Sequence, residues 1–105
     1  MVIPGLINQQ EINSDRIIDI ICKYYDTNIE QLKKRNRKRE IVTVRRMCIY
    51  FLKKNTHSTL KSIGDIFGQD HTTVIHSLDT IQDFIDIKDA ATIRDIRIIN
   101  STLNL

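Results

Sequence analysis

Gly68-Gln69-Asp70-His71-Thr72-Thr73-Val74-Ile75-His76 reads as a tight turn followed by the opening of a helix, and this reading decides the fold. Asp70 stands at the N-cap, where its carboxylate can accept from the backbone N–H of Thr72 or Thr73. Val74, Ile75, Leu78 and Ile81 recur at helical spacing as one apolar face, which leaves His71, Thr72 and Thr73 on an exposed first turn. Immediately upstream, Leu60-Lys61-Ser62-Ile63-Gly64-Asp65-Ile66-Phe67 forms a short amphipathic helix. Gly68 ends it where a left-handed residue is commonly needed. The pattern predicts a helix, a glycine turn and a second helix over about residues 59–85.

Outward from this pair the chain stays helical in pattern, with no internal repeat and no strand-like alternation. Residues 1–13 hold the only Pro and show no period, which predicts an N-terminal arm. Ser14 is placed to cap a first helix carrying Ile17, Ile18, Ile21, Cys22 and Tyr25. Asp26-Thr27-Asn28 breaks that pattern, and Thr27 with Glu30 resembles a capping box for a short helix to about Leu32. Lys33 to Arg39 has six cations in seven residues and nothing apolar to bury, so it reads as a solvated loop. Glu40 to Lys54 is the longest predicted helix, with Ile41, Val44, Met47, Cys48, Phe51 and Leu52 inward and Arg45, Arg46 and Lys53 on other faces. A last helix, Asp89 to about Leu103, places Ile93, Ile96, Ile99 and Leu103 on one stripe.

At 105 residues and 41% hydrophobic, with no Trp, the chain supports one domain whose core is largely isoleucine. The net charge of +3 is a weak argument for a polyanionic partner, but its distribution is not: ten of the 16 Lys and Arg lie between Lys33 and Lys54. Cys22 and Cys48 suggest neither a disulfide framework nor a zinc site, and no apolar run reaches membrane-spanning length. A reduced, cytoplasmic, nucleoid-associated setting is expected. Three histidines do not make a metal centre, because His71 and His76 fall on different helical faces without ligand-spaced Cys or carboxylate neighbours. His76 is expected to be packed or partly buried. No nucleophile and base can be assembled, and Gly5, Gly64 and Gly68 form no phosphate-cradling loop. The chain is therefore expected to be no enzyme, to take no cofactor and to bind no nucleotide.

Asp70-His71-Thr72-Thr73-Val74-Ile75-His76-Ser77, preceded by Ile63-Gly64-Asp65-Ile66-Phe67-Gly68, resembles the C-terminal DNA-binding domain (domain IV) of the bacterial replication initiator DnaA. The likeness runs from about Ile17 to Ile85. It implies an all-α fold of about six helices around a helix-turn-helix, similar to Trp repressor. It also implies duplex DNA as partner: the second helix of the pair enters the major groove of a short asymmetric site, and an arginine from the basic loop enters the adjacent minor groove. By resemblance, Asp70, His71 and Thr72 face bases, and Arg37 is the minor-groove arginine, with Arg35 and Arg39 as alternatives on either side. Arg45, Arg46, Lys53, Thr56, Lys61 and Thr73 are then assigned to the backbone.

The chemistry agrees with the resemblance. Asp can accept from the N4 amino group of cytosine, Thr can add a methyl contact to thymine or a hydroxyl contact to phosphate, and a narrow minor groove attracts Arg. Two departures bear on the target. The turn is one residue shorter than the family pattern, lacking a Gly and carrying Gln69 where an Arg is usual; and Lys61 stands where many members have Pro, exchanging an apolar thymine contact for a phosphate contact. No AAA+ module precedes the domain in this sequence, so a reader that does not itself hydrolyse ATP is expected. The expected function is DnaA-box-like site recognition in replication initiation or its regulation, with an initiator or regulatory protein as a further partner. The alternative is a protein-interaction module or transcriptional regulator that keeps the fold without that specificity.

Overall fold

Asn13 accepts a hydrogen bond from the Arg16 amide at 2.8 Å and so opens helix α1, Ser14–Tyr24, in a computed structural model that describes residues 13–34 and 37–103. The cap is thus Asn13 and not Ser14, which already lies inside the helix. The arm expected over residues 1–13 lies outside the described residues except for Asn13, and Arg35 lies outside them as well. The chain leaves α1 through Asp26 at φ 59°, a left-handed position that Asp tolerates better than most residues. Asn28 then caps α2, Ile29–Lys33, accepting from the Gln31 amide at 3.1 Å. The Thr27–Glu30 box is therefore displaced by one residue, because Asn28 supplies the same side-chain acceptor closer to the helix.

Helix α3, Arg39–Asn55, is the centre of the fold. Ile41, Val44, Met47, Cys48, Ile49, Phe51 and Leu52 are buried on it against α1, α2, α4 and α5. Phe51 is fully buried, and its truncation to Ala is expected to cost about 3–5 kcal/mol. Cys22 and Cys48, on α1 and α3, are both free and buried.

The pair follows as α4, Leu60–Phe67, and α5, His71–Asp86. Thr59 caps α4 by accepting from the Ser62 amide at 3.0 Å. Helix α6, Ala90–Leu103, closes the domain with Ile99 and Leu103 buried and Ile93 and Ile96 partly so. It is fastened to α1 by a polar clasp: Asp95 accepts from the Tyr24 hydroxyl at 2.6 Å and from the Tyr25 hydroxyl at 2.8 Å. Burial and this carboxylate push the Tyr25 phenol far above its usual range. The described residues hold six helices and no strand, so the all-α expectation holds. Among them no helix is long and apolar enough to cross a membrane.

Candidate nucleic-acid interface

The turn between α4 and α5 is built by two glycines with different jobs. Gly68 sits at φ 67°, ψ 35°, the left-handed conformation that a glycine reaches without Cβ strain. The amides of Gly68 and Gln69 both point back to the Gly64 carbonyl, the latter at 2.8 Å. Gly64 is needed for closeness: a Cβ there would collide with the Gln69 backbone carbonyl. The sequence signal for this was a glycine in the middle of an eight-residue amphipathic helix, where it costs roughly 1 kcal/mol relative to Ala unless something approaches.

Asp70 caps α5, accepting from the Thr73 amide at 2.8 Å. That bond, joined by the Thr73 hydroxyl, holds the carboxyl below its usual range, so it is an anion at neutral pH. Asp70, His71, Thr72 and Thr73 are all exposed, and Thr59, Lys61 and Asp65 border the same shallow cleft as Asp70 and His71. Lys61 is paired with Asp65 at 3.2 Å, an exposed i,i+4 contact worth only about 0.3–0.5 kcal/mol, which a closer anion can displace. On the other side of the first turn, Arg46, Thr73, His76 and Thr80 line a cleft between α3 and α5 that Gln69 also reaches. The Gln69 side-chain oxygen is buried there without a hydrogen-bond partner.

Three placements correct the expectations. His76 is exposed rather than packed, because the buried stripe of α5 is Val74, Ser77 and Ile81. Ile75 is 38% exposed for the same reason and does not belong to the apolar face. Arg45, expected on a solvent-facing side of α3, is 7% exposed. Its Nε donates to the Leu32 carbonyl at 2.8 Å and a terminal nitrogen donates to the Lys34 carbonyl at 3.0 Å. The physical reason is that α2 is only five residues long and its last carbonyls need partners; a planar guanidinium supplies two donors at once. Leaving one such carbonyl unsatisfied costs about 1–3 kcal/mol.

The remaining cations are placed as expected for a charged surface. Arg37, Lys38, Arg39 and Lys53 are exposed and Arg46 is half-buried. Thr56 is half-buried, and its hydroxyl is engaged in ending α3, donating to the Leu52 carbonyl at 2.6 Å and accepting from the Ser58 amide at 3.1 Å. Lys53 and Thr56 border neither of the two clefts beside the first turn of α5. No group of three or more His, Cys, Asp or Glu side chains able to hold a metal converges among the described residues.

A capped helix with polar residues on its open first turn, set against a preceding helix by a glycine turn and flanked by a basic segment, also has counterparts among known proteins. The chain matches the family model described as the bacterial DnaA protein helix-turn-helix over residues 14–81. It is 35% identical over 79 residues to the chromosomal replication initiator protein DnaA of Chloroflexus aggregans, covering 74% of this chain and 16% of that protein. The DnaA of Thermoanaerobacter sp. is 37% identical over 76 residues, 72% of this chain and 17% of the relative. That of Chlorobaculum tepidum is 38% identical over 76 residues, 71% and 15% respectively. The chain thus spans about a sixth of the length of these curated relatives. With the match covering α1 to α4 and most of α5, the chain belongs to the bacterial DnaA helix-turn-helix family.

Proposed function

We propose that this domain binds duplex DNA and reads a short DnaA-box-like site, in replication initiation or its regulation. The observation that carries the reading is the first turn of α5: an anionic Asp70 and the exposed side chains of His71 and Thr72, held on a helix whose start is fixed by a cap and a left-handed glycine. In a major groove, Asp70 accepts from a cytosine N4 amino group, and Thr72 packs its methyl group on thymine. Arg37 enters the minor groove from the exposed loop. Arg46, Lys53, Lys61 and Thr73 track phosphates. The relatives named as chromosomal replication initiators support the biological setting, and the shortened turn with Gln69 leaves the preferred site this domain's own.

Selection of bound duplexes from a random pool, followed by titration of the enriched and a scrambled duplex at several salt concentrations, tests this. The enriched pool is expected to converge on one short asymmetric site. Affinity is expected to fall with salt at a log–log slope of about −0.9 per neutralised phosphate, with about four to seven phosphates engaged. A pool that fails to converge, with binding equal on both duplexes, would favour the protein-interaction reading instead.

A further inference from the structure

Arg45 is a cation in the middle of the basic segment Lys33 to Lys54, yet it points into the protein. It joins three pieces. Its own backbone belongs to α3; its Nε holds the Leu32 carbonyl at 2.8 Å, and a terminal nitrogen holds the Lys34 carbonyl at 3.0 Å. Leu32 is fully buried, so the first carbonyl is pinned in the core. Lys34 leaves α2 in an extended conformation, φ −74° and ψ 155°, and starts the basic loop. Between them, the Lys33 carbonyl lies 3.9 Å from where a Cβ on Gly68 would be, so the root of the loop sits beside the turn of the helix pair. A loop rooted at this point has its starting position and direction fixed relative to α5.

We propose that Arg45 is a positioning residue for DNA reading: its guanidinium fixes the root of the basic loop against the helix pair, so that the loop arginine and the first turn of α5 meet adjacent grooves together. This rests on the DNA-reading function proposed above. The chemistry requires a fork. A lysine at position 45 keeps the charge, but its three donors radiate from one nitrogen and lack the planar fork that holds the Leu32 and Lys34 carbonyls from two separate nitrogens. An arginine that meets a phosphate through one hydrogen bond has the opposite dependence, since Lys keeps the charge and binds phosphate as a point charge.

The test uses the full chain and the duplex it selects from a random pool, together with a second duplex in which the A·T pairs of the minor-groove element are replaced by G·C. Arg45→Lys is expected to fold, to keep its preference within the major-groove element, and to lose the A·T preference to the same extent as Arg37→Ala. In the Arg37→Ala background, Arg45→Lys is expected to add nothing to that loss, because both act through one loop. An Arg45→Lys variant that binds both duplexes like the parent, paired with an Arg45→Met variant whose salt slope falls by about one with base preference intact, would overturn the proposal and make Arg45 a phosphate contact. The unmodified protein gives an independent reading by NMR. The Arg45 Nε–H is expected to be protected from exchange and to keep donating to the Leu32 carbonyl when duplex is added; a change of its acceptor from that carbonyl to a phosphate oxygen overturns the proposal. If the parent selects no site at all, the DNA-reading function fails and not the role of Arg45 within it.

Discussion

The helix pair and the basic loop are the two surfaces that the proposed function assigns to DNA, and they are built in contrasting ways. The pair is made rigid by short-range devices: Thr59 and Asp70 cap the two helices within three residues of themselves, and Gly68 turns the chain by its own φ. The loop holds three exposed cations among the described residues, Lys34, Arg37 and Lys38, with exposed Lys33 and Arg39 on the helix ends that flank it, and its root is held by Arg45 from α3. Base reading needs precise aim, which suits the pair; a minor-groove arginine needs a defined starting point, which the pinned root of the loop supplies. The lesson is that a helix pair can be encoded locally, whereas the loop beside it depends on a residue from a different helix.

The largest effect should come from closing the gap that lets the pair form. Gly64→Val is expected to destabilise by about 3 kcal/mol or more and to abolish site preference, because its Cβ meets backbone rather than a yielding side chain. Thermal melting and duplex titration check this. Even Gly64→Ala should lose stability, although helix propensity alone predicts a gain of roughly 1 kcal/mol. A stabilised Gly64→Ala protein with parental site preference would break the account of the pair.

A control away from both surfaces comes next. Tyr25 has its pKa raised by burial and by the Asp95 carboxylate, so its folded value exceeds its unfolded value of about 10. Its contribution to stability is then complete below about pH 10 and is lost as pH rises above it. Tyr25→Phe is expected to cost about 1.5–3 kcal/mol at neutral pH, to flatten the alkaline unfolding curve above pH 10, and to leave base preference untouched. Denaturant unfolding across pH 7–11 checks it. Gly68→Val should then cost about 1–2 kcal/mol through its left-handed backbone and weaken site-specific binding more than scrambled-duplex binding. The smallest effect belongs to Lys53→Ala, expected to weaken all duplexes alike and to lower the salt slope by about one.

The locally built half was legible from residue order. Asp70 as cap, Gly68 as left-handed terminator, the burial of Ile41, Val44, Met47, Cys48, Phe51 and Leu52 on α3 and of Ile99 and Leu103 on α6 all follow from spacing and side-chain type, while buried Ile49 was not among the expected positions and Ile93 and Ile96 are only partly covered. What could not be read is long-range. Arg45 lies among exposed cations in sequence and inside the protein in space, because the carbonyls that claim it belong to another helix. Asp95, an acid amid isoleucines, finds its tyrosine partners 70 and 71 positions away. His76 and Ile75 were misplaced by a smaller error: the apolar stripe of α5 is narrower than its composition, since Ser77 takes a buried position that an isoleucine would otherwise be expected to hold.

The most direct test of base reading by the first turn of α5 is the base preference of Asp70→Asn. Asn still caps the helix, so melting should change little, but it presents a mixed donor and acceptor that favours adenine over the cytosine amino group. Measured well below the melting temperature, on the selected duplex and on one with the contacted pair exchanged, the parent is expected to favour the selected duplex by about 1–3 kcal/mol. Asp70→Asn should shrink or reverse that preference while Lys53→Ala preserves it. An Asp70→Asn protein that keeps the parental preference in full would contradict the assignment of base reading to this turn.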